Sequence, residues 1–382
     1  MKRLAFWMLV VFLSGACRAQ TGPEASFEAI AKKGIDEVYN LEFEKADADF
    51  DRLVAMAPAN PAGHFFHAMV LWWKIMIDID NEQYDRQFYD SLDSVIDLCD
   101  AVLKKDEDNV DAIFFKGGAI GFKGRLAFHR DDYLAAANAG RKALPLVQAA
   151  QELAPDNIDI LLGSGMYNYY ADVIPQEYPF LKPVLLFIPP GDKKRGLEQL
   201  KLASEKGRYA STEAAYLLMQ IYMYYEKDYT QALRIVIGLH DRYPNNMLFY
   251  KLVGRCDVLL GDWTASEQVF SDILARVQKG ERGFDALAER EAEYYLGQYA
   301  LFMRQLDSSL KHFYHCDEMS RSLDKNGPSG FMIMANLRIG NVYDLQGKRD
   351  LAIVQYQKVT GWHDYKGSSG QAEQYLKTPY TQ

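Results

Sequence analysis

The chain has 382 residues, 49% of them hydrophobic and 25% charged, and a formal net charge of −9. That is the composition of a folded, core-forming protein and excludes a disordered chain. The acidic balance argues against a nucleic-acid partner, and it deepens if Lys2, Arg3 and Arg18 are removed with a leader.

The first predicted element, residues 1–19, has the pattern of a secretory leader. Lys2 and Arg3 supply the positive start, and Leu4 to Leu13 form an apolar core too short to span a bilayer. The small residues Ser14-Gly15-Ala16 before Cys17 resemble a bacterial lipobox, except that Ser14 stands where that pattern prefers Leu. Cleavage there would leave a lipidated Cys17 as the first mature residue; cleavage near Ala19 would leave a soluble chain starting at Gln20. Either route exports the protein, to the periplasm or to the outer membrane as a lipoprotein. The other cysteines, Cys99, Cys256 and Cys316, are odd in number, widely scattered and set in apolar helical contexts. They read as buried thiols and not as a disulfide framework.

Internal repetition organises the rest. Gly34 is followed by Ala46, Phe50 and Pro58. Two stretched units follow, opened by Ala68 and Gly118, whose partner small residues Ser94 and Ala143 arrive late; both arms of these hairpins are expected to lengthen, with Pro145 kinking a second helix. A unit opening at Gly165 is interrupted by a Pro-rich apolar insert, Pro175 to Pro190, and resumes at Lys194. Gln220 then leads to Ala232, Val236 and Pro244. The clearest units open at Gly254, Gly297 and Gly340, evenly spaced at 43 residues, each with a small residue twelve positions on (Ser266, Ser309, Ala352) and an aromatic at sixteen (Phe270, Phe313, Tyr356). The residues beyond the usual period of about 34 fall in the connections Gln278–Phe284 and Ser320–Gly330. The reading is all-α: about eight helical hairpins over residues 26–360, some with extended helices, and a C-terminal tail, 361–382, with a capping helix turn at Gln371–Leu376.

A small residue in the first helix lets the second approach closely, an aromatic fills the gap, and a proline ends the second helix. The pattern resembles the tetratricopeptide repeat, W-x2-L-G-x2-Y then A-x3-F then P. Asn336-x2-Ile339-Gly340-x2-Tyr343 with Ala352-x3-Tyr356 is the best match, and Tyr250-x2-Val253-Gly254 with Ser266-x3-Phe270 is close behind. The resemblance covers nearly all of the mature chain. It implies a right-handed superhelical solenoid whose first helices line a concave surface, protein or peptide binding, and no enzyme activity. The segment Gly165 to Gly196 is also similar to the inclusion-body clearance family of tetratricopeptide proteins.

Candidate chemistry falls away on inspection. Asp78-x-Asp80-x-Glu82 begins like a calcium loop, but Gln83 replaces the turn glycine and Tyr89 the bidentate glutamate. Gly117 to Gly124 lacks the Ser or Thr of a phosphate loop and reads as a helical packing face. His312, His315 and Cys316 mix surface with core, as do His64 and His67, and Gly163-Ser164-Gly165 lacks the outer spacing of a nucleophile elbow. No cofactor, metal or catalytic set is expected.

The repeat register aims one face of each first helix at the groove. Reading those positions off the units yields Phe65, Trp72, Trp73, Phe115, Phe122, Tyr169, Tyr170, Tyr224, Tyr225, Tyr294 and Phe302, with Lys251 and Arg255 as a cationic pair able to catch a partner's carboxylate. Three accounts compete for this surface: a groove binding a protein or peptide of the cell envelope; a groove filled by its own insert, Tyr178 to Pro190; and membrane contact through that insert near a lipidated Cys17. A glycan-binding module, stacking sugars on Tyr and Trp faces, is the alternative function.

Overall fold

A computed structural model describes residues 23–182, 189–325 and 327–381. Among these residues there is no strand. Helices follow one another as antiparallel pairs: α1 (Pro23–Tyr39) with α2 (Phe43–Met56), α3 (Pro61–Ile77) with α4 (Asp85–Leu103), α5 (Val110–His129) with α6 (Tyr133–Leu153), and α7 (Ile160–Glu177) with α8 (Lys193–Lys206). Then come α9 (Ser211–Ile221), which runs into a π-helical turn at Tyr222–Glu226, with α10 (Tyr229–Arg242), α11 (Met247–Leu260) with α12 (Trp263–Gln278), α13 (Ala286–Phe302) with α14 (Leu306–Leu323), and α15 (Gly330–Leu345) with α16 (Arg349–Thr360). The last helix, α17 (Ser368–Lys377), caps the end, slightly longer than the turn expected at Gln371–Leu376.

Local chemistry sets the helix boundaries. Asn60, Asn109, Asp132, Asp228, Asn246 and Asp262 each accept a backbone N–H of the first turn that would otherwise lack a partner. Pro58 and Pro244 stand just past the ends of α2 and α10, where no further helical hydrogen bond is possible. The stretched units lengthen mainly in three arms: α4, α5 and α6 have 19, 20 and 21 residues, against 14 for α2 and α10. By contrast α3, with 17 residues, is no longer than α1, because the loop before α4 absorbs its share of the excess. Pro145 is accommodated within α6, and α7 continues past Pro175 to Glu177 before the insert begins.

The repeat template is a contact between two helices of one hairpin. A Cβ added to Gly254 would lie 2.6 Å from the Phe270 ring, and one on Gly297 would lie 2.7 Å from Phe313. Gly34 and Gly340 sit equally tightly under Phe50 and Tyr356. The aromatic therefore lies directly over the glycine, and all four rings are fully buried. In the α7–α8 hairpin no ring intervenes. Gly165 and Gly196 put the two backbones in direct contact, so that a Cβ on Gly196 would lie 2.8 Å from the Gly165 carbonyl oxygen.

The first part of the array closes on itself. Tyr39 on α1 donates to Glu213 on α9 (3.1 Å), and Asn246 donates to the Tyr39 carbonyl (2.8 Å). Asp36 accepts from Tyr243 (2.7 Å) and pairs with Arg242 (2.8 Å), while Arg208 pairs with Glu28. Between these contacts Trp73 of α3, 1% exposed, meets Tyr39, Tyr216 and Phe249 at ring distances of 4.9, 5.2 and 5.4 Å. One apolar core consequently runs from Ala31 to Cys256, and α1 sits beside helices some two hundred residues away in sequence.

Candidate functional site

Closure does not fill the ring completely. A cavity of about 790 Å³ lies inside it. Part of its lining is aromatic, with Phe65 and Trp73 from α3 and Phe115 and Phe122 from α5; part is made of small residues on α6, the hairpin partner of α5, including Ala136, Ala137 and Gly140. A Cβ built on Gly140 would meet no atom within 4 Å, and one on Gly121 of α5 would touch only the end of Met166, at 3.8 Å. The small-residue wall thus makes room instead of filling it. The exposed members of the lining, His129, Lys182, Pro190 and Tyr224, mark where the cavity meets solvent.

The π-helical turn shapes that rim. It inserts an extra residue into the end of α9 and presents Tyr224 and Tyr225 together at the cavity edge before Lys227 turns the chain in a left-handed conformation (φ 55°). Tyr225 stands edge-on to Tyr170 at 5.6 Å, and Tyr224 remains 52% exposed. Glu226 holds the end of the turn by accepting from Tyr169 (2.5 Å) and pairing with Lys193 (2.8 Å). On the far side of the rim, Leu181 is buried against the cavity and Tyr167 donates to the Pro189 carbonyl (2.5 Å).

The buried charged groups inside are already engaged. Arg125 pairs with Glu213 (2.5 Å) and lies over the Trp72 and Phe122 rings at 4.7 and 5.0 Å, while the second Glu213 oxygen takes the Tyr39 hydroxyl. Asp159 is occupied by the backbone N–H groups of Tyr209 and Ala210 (3.0 and 3.1 Å). Desolvation by its neighbours and the nearby charges of Arg125 and Arg130 both lower the His129 pKa, at the exposed end of α5. Burial pushes the Tyr170 phenol up to about 12. The cavity therefore offers apolar surface and one internally balanced ion pair.

No family model matches the chain, and no curated protein matches it. Among solved structures it is similar to a human IFIT1 dimer with PPP-AAAA, at 13% identity over 84% of this chain and 68% of that one, with a TM-score of 0.37. It is also similar to a tetratricopeptide repeat protein from Parabacteroides merdae, at 13% identity over 86% of this chain and 99% of that one, with a TM-score of 0.33. Likenesses this loose fix no ligand and no partner. The architecture is decided by the hairpins themselves: eight antiparallel pairs among the described residues, four of them with glycine set under an aromatic ring at the template spacing. The fold is an all-α solenoid of helical hairpins.

The solenoid redistributes the residues expected on an exposed groove. Phe65, Trp73, Phe115, Phe122, Tyr170, Tyr224 and Tyr225 line the cavity, though only Tyr224 among them is largely exposed. Trp72 is core: it lies between Phe88 (5.6 Å) and Phe122 (5.3 Å), and its indole nitrogen is buried without a hydrogen-bond partner. Tyr169 is buried against Glu226 and Tyr170, and Tyr294 is buried between Phe313 and Phe331. Phe302 is 50% exposed but stacks on Trp263 (5.1 Å) at the end of α13, outside the cavity. Lys251 and Arg255 do not wait for a partner's carboxylate, because both are bound to Glu291 of α13, at 3.1 and 2.5 Å. For Trp73 the cause is closure, where one turn of the solenoid meets itself; Trp72, Tyr294, Phe302, Lys251 and Arg255 are instead covered by their own or neighbouring hairpins.

Sequence reasoning missed the α6 wall, because it admitted only first helices to the concave side. The signal was present in Ala135-Ala136-Ala137-Asn138-Ala139-Gly140, a run whose small side chains let α6 lie close on α5 and leave space beyond it unfilled. The remaining candidates take structural places. His312 and His315 both bind Glu293 through Nδ1 (2.7 and 3.1 Å), and Cys316 is buried. Among the described residues no three His, Cys, Asp or Glu are grouped to hold a metal ion. Cys99 and Cys256 are also buried and free. Cys17 and the leader lie outside the described residues, as do positions 183–188 of the insert.

Proposed function

We propose that this solenoid is an exported, non-catalytic interaction scaffold of the cell envelope, and that the first-turn cavity is the compartment in which it holds a hydrophobic part of its partner. The observation that carries the reading is the cavity itself: about 790 Å³, walled by aromatic and small apolar residues, with its internal charges paired. That volume falls within the range of ligand pockets, about 300–1,000 Å³. Export rests on the leader pattern of residues 1–19. No described helix is long and apolar enough to cross a membrane, so attachment would come from a lipidated Cys17 or from contact of the 178–190 segment with a lipid surface. Glycan stacking loses its best residues, since Trp72 and Trp73 are both buried.

The test is a photo-crosslinking residue at Tyr225, on the cavity rim, activated in cells and read by mass spectrometry. A discrete adduct to another envelope molecule, lost when Gly140→Leu fills the cavity, supports the proposal. Adducts confined to the chain itself, or an adduct indifferent to Gly140→Leu, refute the cavity as the binding compartment.

A further inference from the structure

The chemistry of the walls discriminates between classes of occupant. A peptide entering the ring would bring an N–H and a C=O with every residue, and each is costly to bury unpaired. The walls are the bodies of α3, α5, α6, α7 and α9, whose backbone groups are bonded within their own helices. Their charged side chains offer little more. Arg125, Glu213 and Tyr39 bind one another, Asp159 caps a neighbouring turn, and Gln220 donates to Tyr216 (3.3 Å). A hydrocarbon chain makes no such demand, and its burial is favourable without directional partners.

The rim is different in kind from the interior. Lys182 is exposed and lines the cavity, as do Tyr224 and Tyr225 of the π-helical turn, while the Tyr167 hydroxyl of α7 is taken by the Pro189 carbonyl. A cation and hydroxyls at the mouth of an apolar chamber suit a molecule with one polar, anionic end. Close by, Phe180 and Leu134 are both 64% exposed, an apolar lip adjoining the rim through the contact of Phe180 with Tyr133 (5.8 Å).

We propose that the cavity binds a single long acyl chain, lying against the aromatic side chains of α3 and α5 and the small residues of α6 that line it, and with an anionic head at Lys182. This rests on the reading of the cavity as the binding compartment and adds the class of ligand. The shared chemistry is an acyl tail with an acidic head, whether a free fatty acid or a lysophospholipid.

The experiment is a fluorescence titration of the mature chain with parinaric acid, a polyene fatty acid that brightens in apolar surroundings. Saturable brightening is expected, displaced by an unlabelled fatty acid or, if the natural head is a phosphate, more strongly by a lysophospholipid. Gly140→Leu and, independently, Gly121→Leu should weaken binding at least tenfold while circular dichroism and the melting temperature hold or improve. Lys182→Gln should weaken the acid but leave the fatty alcohol of equal length unaffected. Absence of saturable binding, or binding unchanged in both glycine variants, overturns the acyl-chain assignment. If it falls while the Tyr225 adduct persists and still depends on Gly140, the compartment stands and its occupant is a peptide. If the adduct is absent too, both readings fail.

Discussion

Glu291 offers a quantitative test of how the second half of the solenoid is held together. Its side chain is 1% exposed and binds Lys251 at 3.1 Å and Arg255 at 2.5 Å, joining α11 to α13. Burial alone would raise its pKa, but the charges of Arg255 and Lys251 outweigh that and hold the carboxyl at about 2. Against an unfolded value of about 4.3, and at about 1.4 kcal/mol per pH unit, the ionised form contributes roughly 3 kcal/mol. Because the folded pKa is depressed, that contribution is complete above about pH 4.3 and drains away as pH falls towards 2. Glu291→Gln keeps the shape but leaves buried Lys251 and half-buried Arg255 without their anion, a loss of about 3–5 kcal/mol at neutral pH. Urea unfolding of both proteins followed by circular dichroism, from pH 7 down to pH 3, measures the difference. The gap should be constant above about pH 5 and narrow in acid. A neutral-pH loss below about 1 kcal/mol, typical of an exposed pair, or a gap that does not change with pH, would refute the account.

Two further outcomes follow from the packing. Phe270→Ala removes a fully buried ring from above Gly254 and should cost about 3–5 kcal/mol; Gly254→Ala should also destabilise, although alanine normally favours a helix, because its Cβ would lie 2.6 Å from that ring. Melting curves of the two single variants check both signs. Asn246→Ala removes the cap of α11 and the donor to Tyr39, so it should cost about 1–2 kcal/mol and speed amide exchange in α1. Exchange in α1 at the parent rate would show that this contact does not hold the ring shut.

Much of the array was legible because the signal is local. Gly34, Gly254, Gly297 and Gly340 pair with aromatics sixteen positions on, and two helices joined by a short turn must bring those positions together whatever else the chain does. Hairpin number, the long connections before α13 and α15, the capping helix and the buried thiols are likewise consequences of spacing and amphipathicity. The groove was legible only in part. Helical register says that Trp72 and Trp73 leave α3 in different directions, but it does not say that Trp73 will meet Tyr216 and Phe249 from helices far along the chain.

The chain order of residue sizes thus established the unit, its period and the helix faces. The curvature of the stack decided the rest: whether α1 would reach α9 to α11, whether an aromatic face would be solvent-exposed or packed, and whether Lys251 and Arg255 would find Glu291 before any partner did. Curvature accumulates from small rotations at every hairpin interface, and each rotation depends on how side chains of neighbouring units interlock. No single segment encodes that sum. The cavity is its residue: the space left where a ring closes by long-range contacts and the α6 wall is too small to fill it.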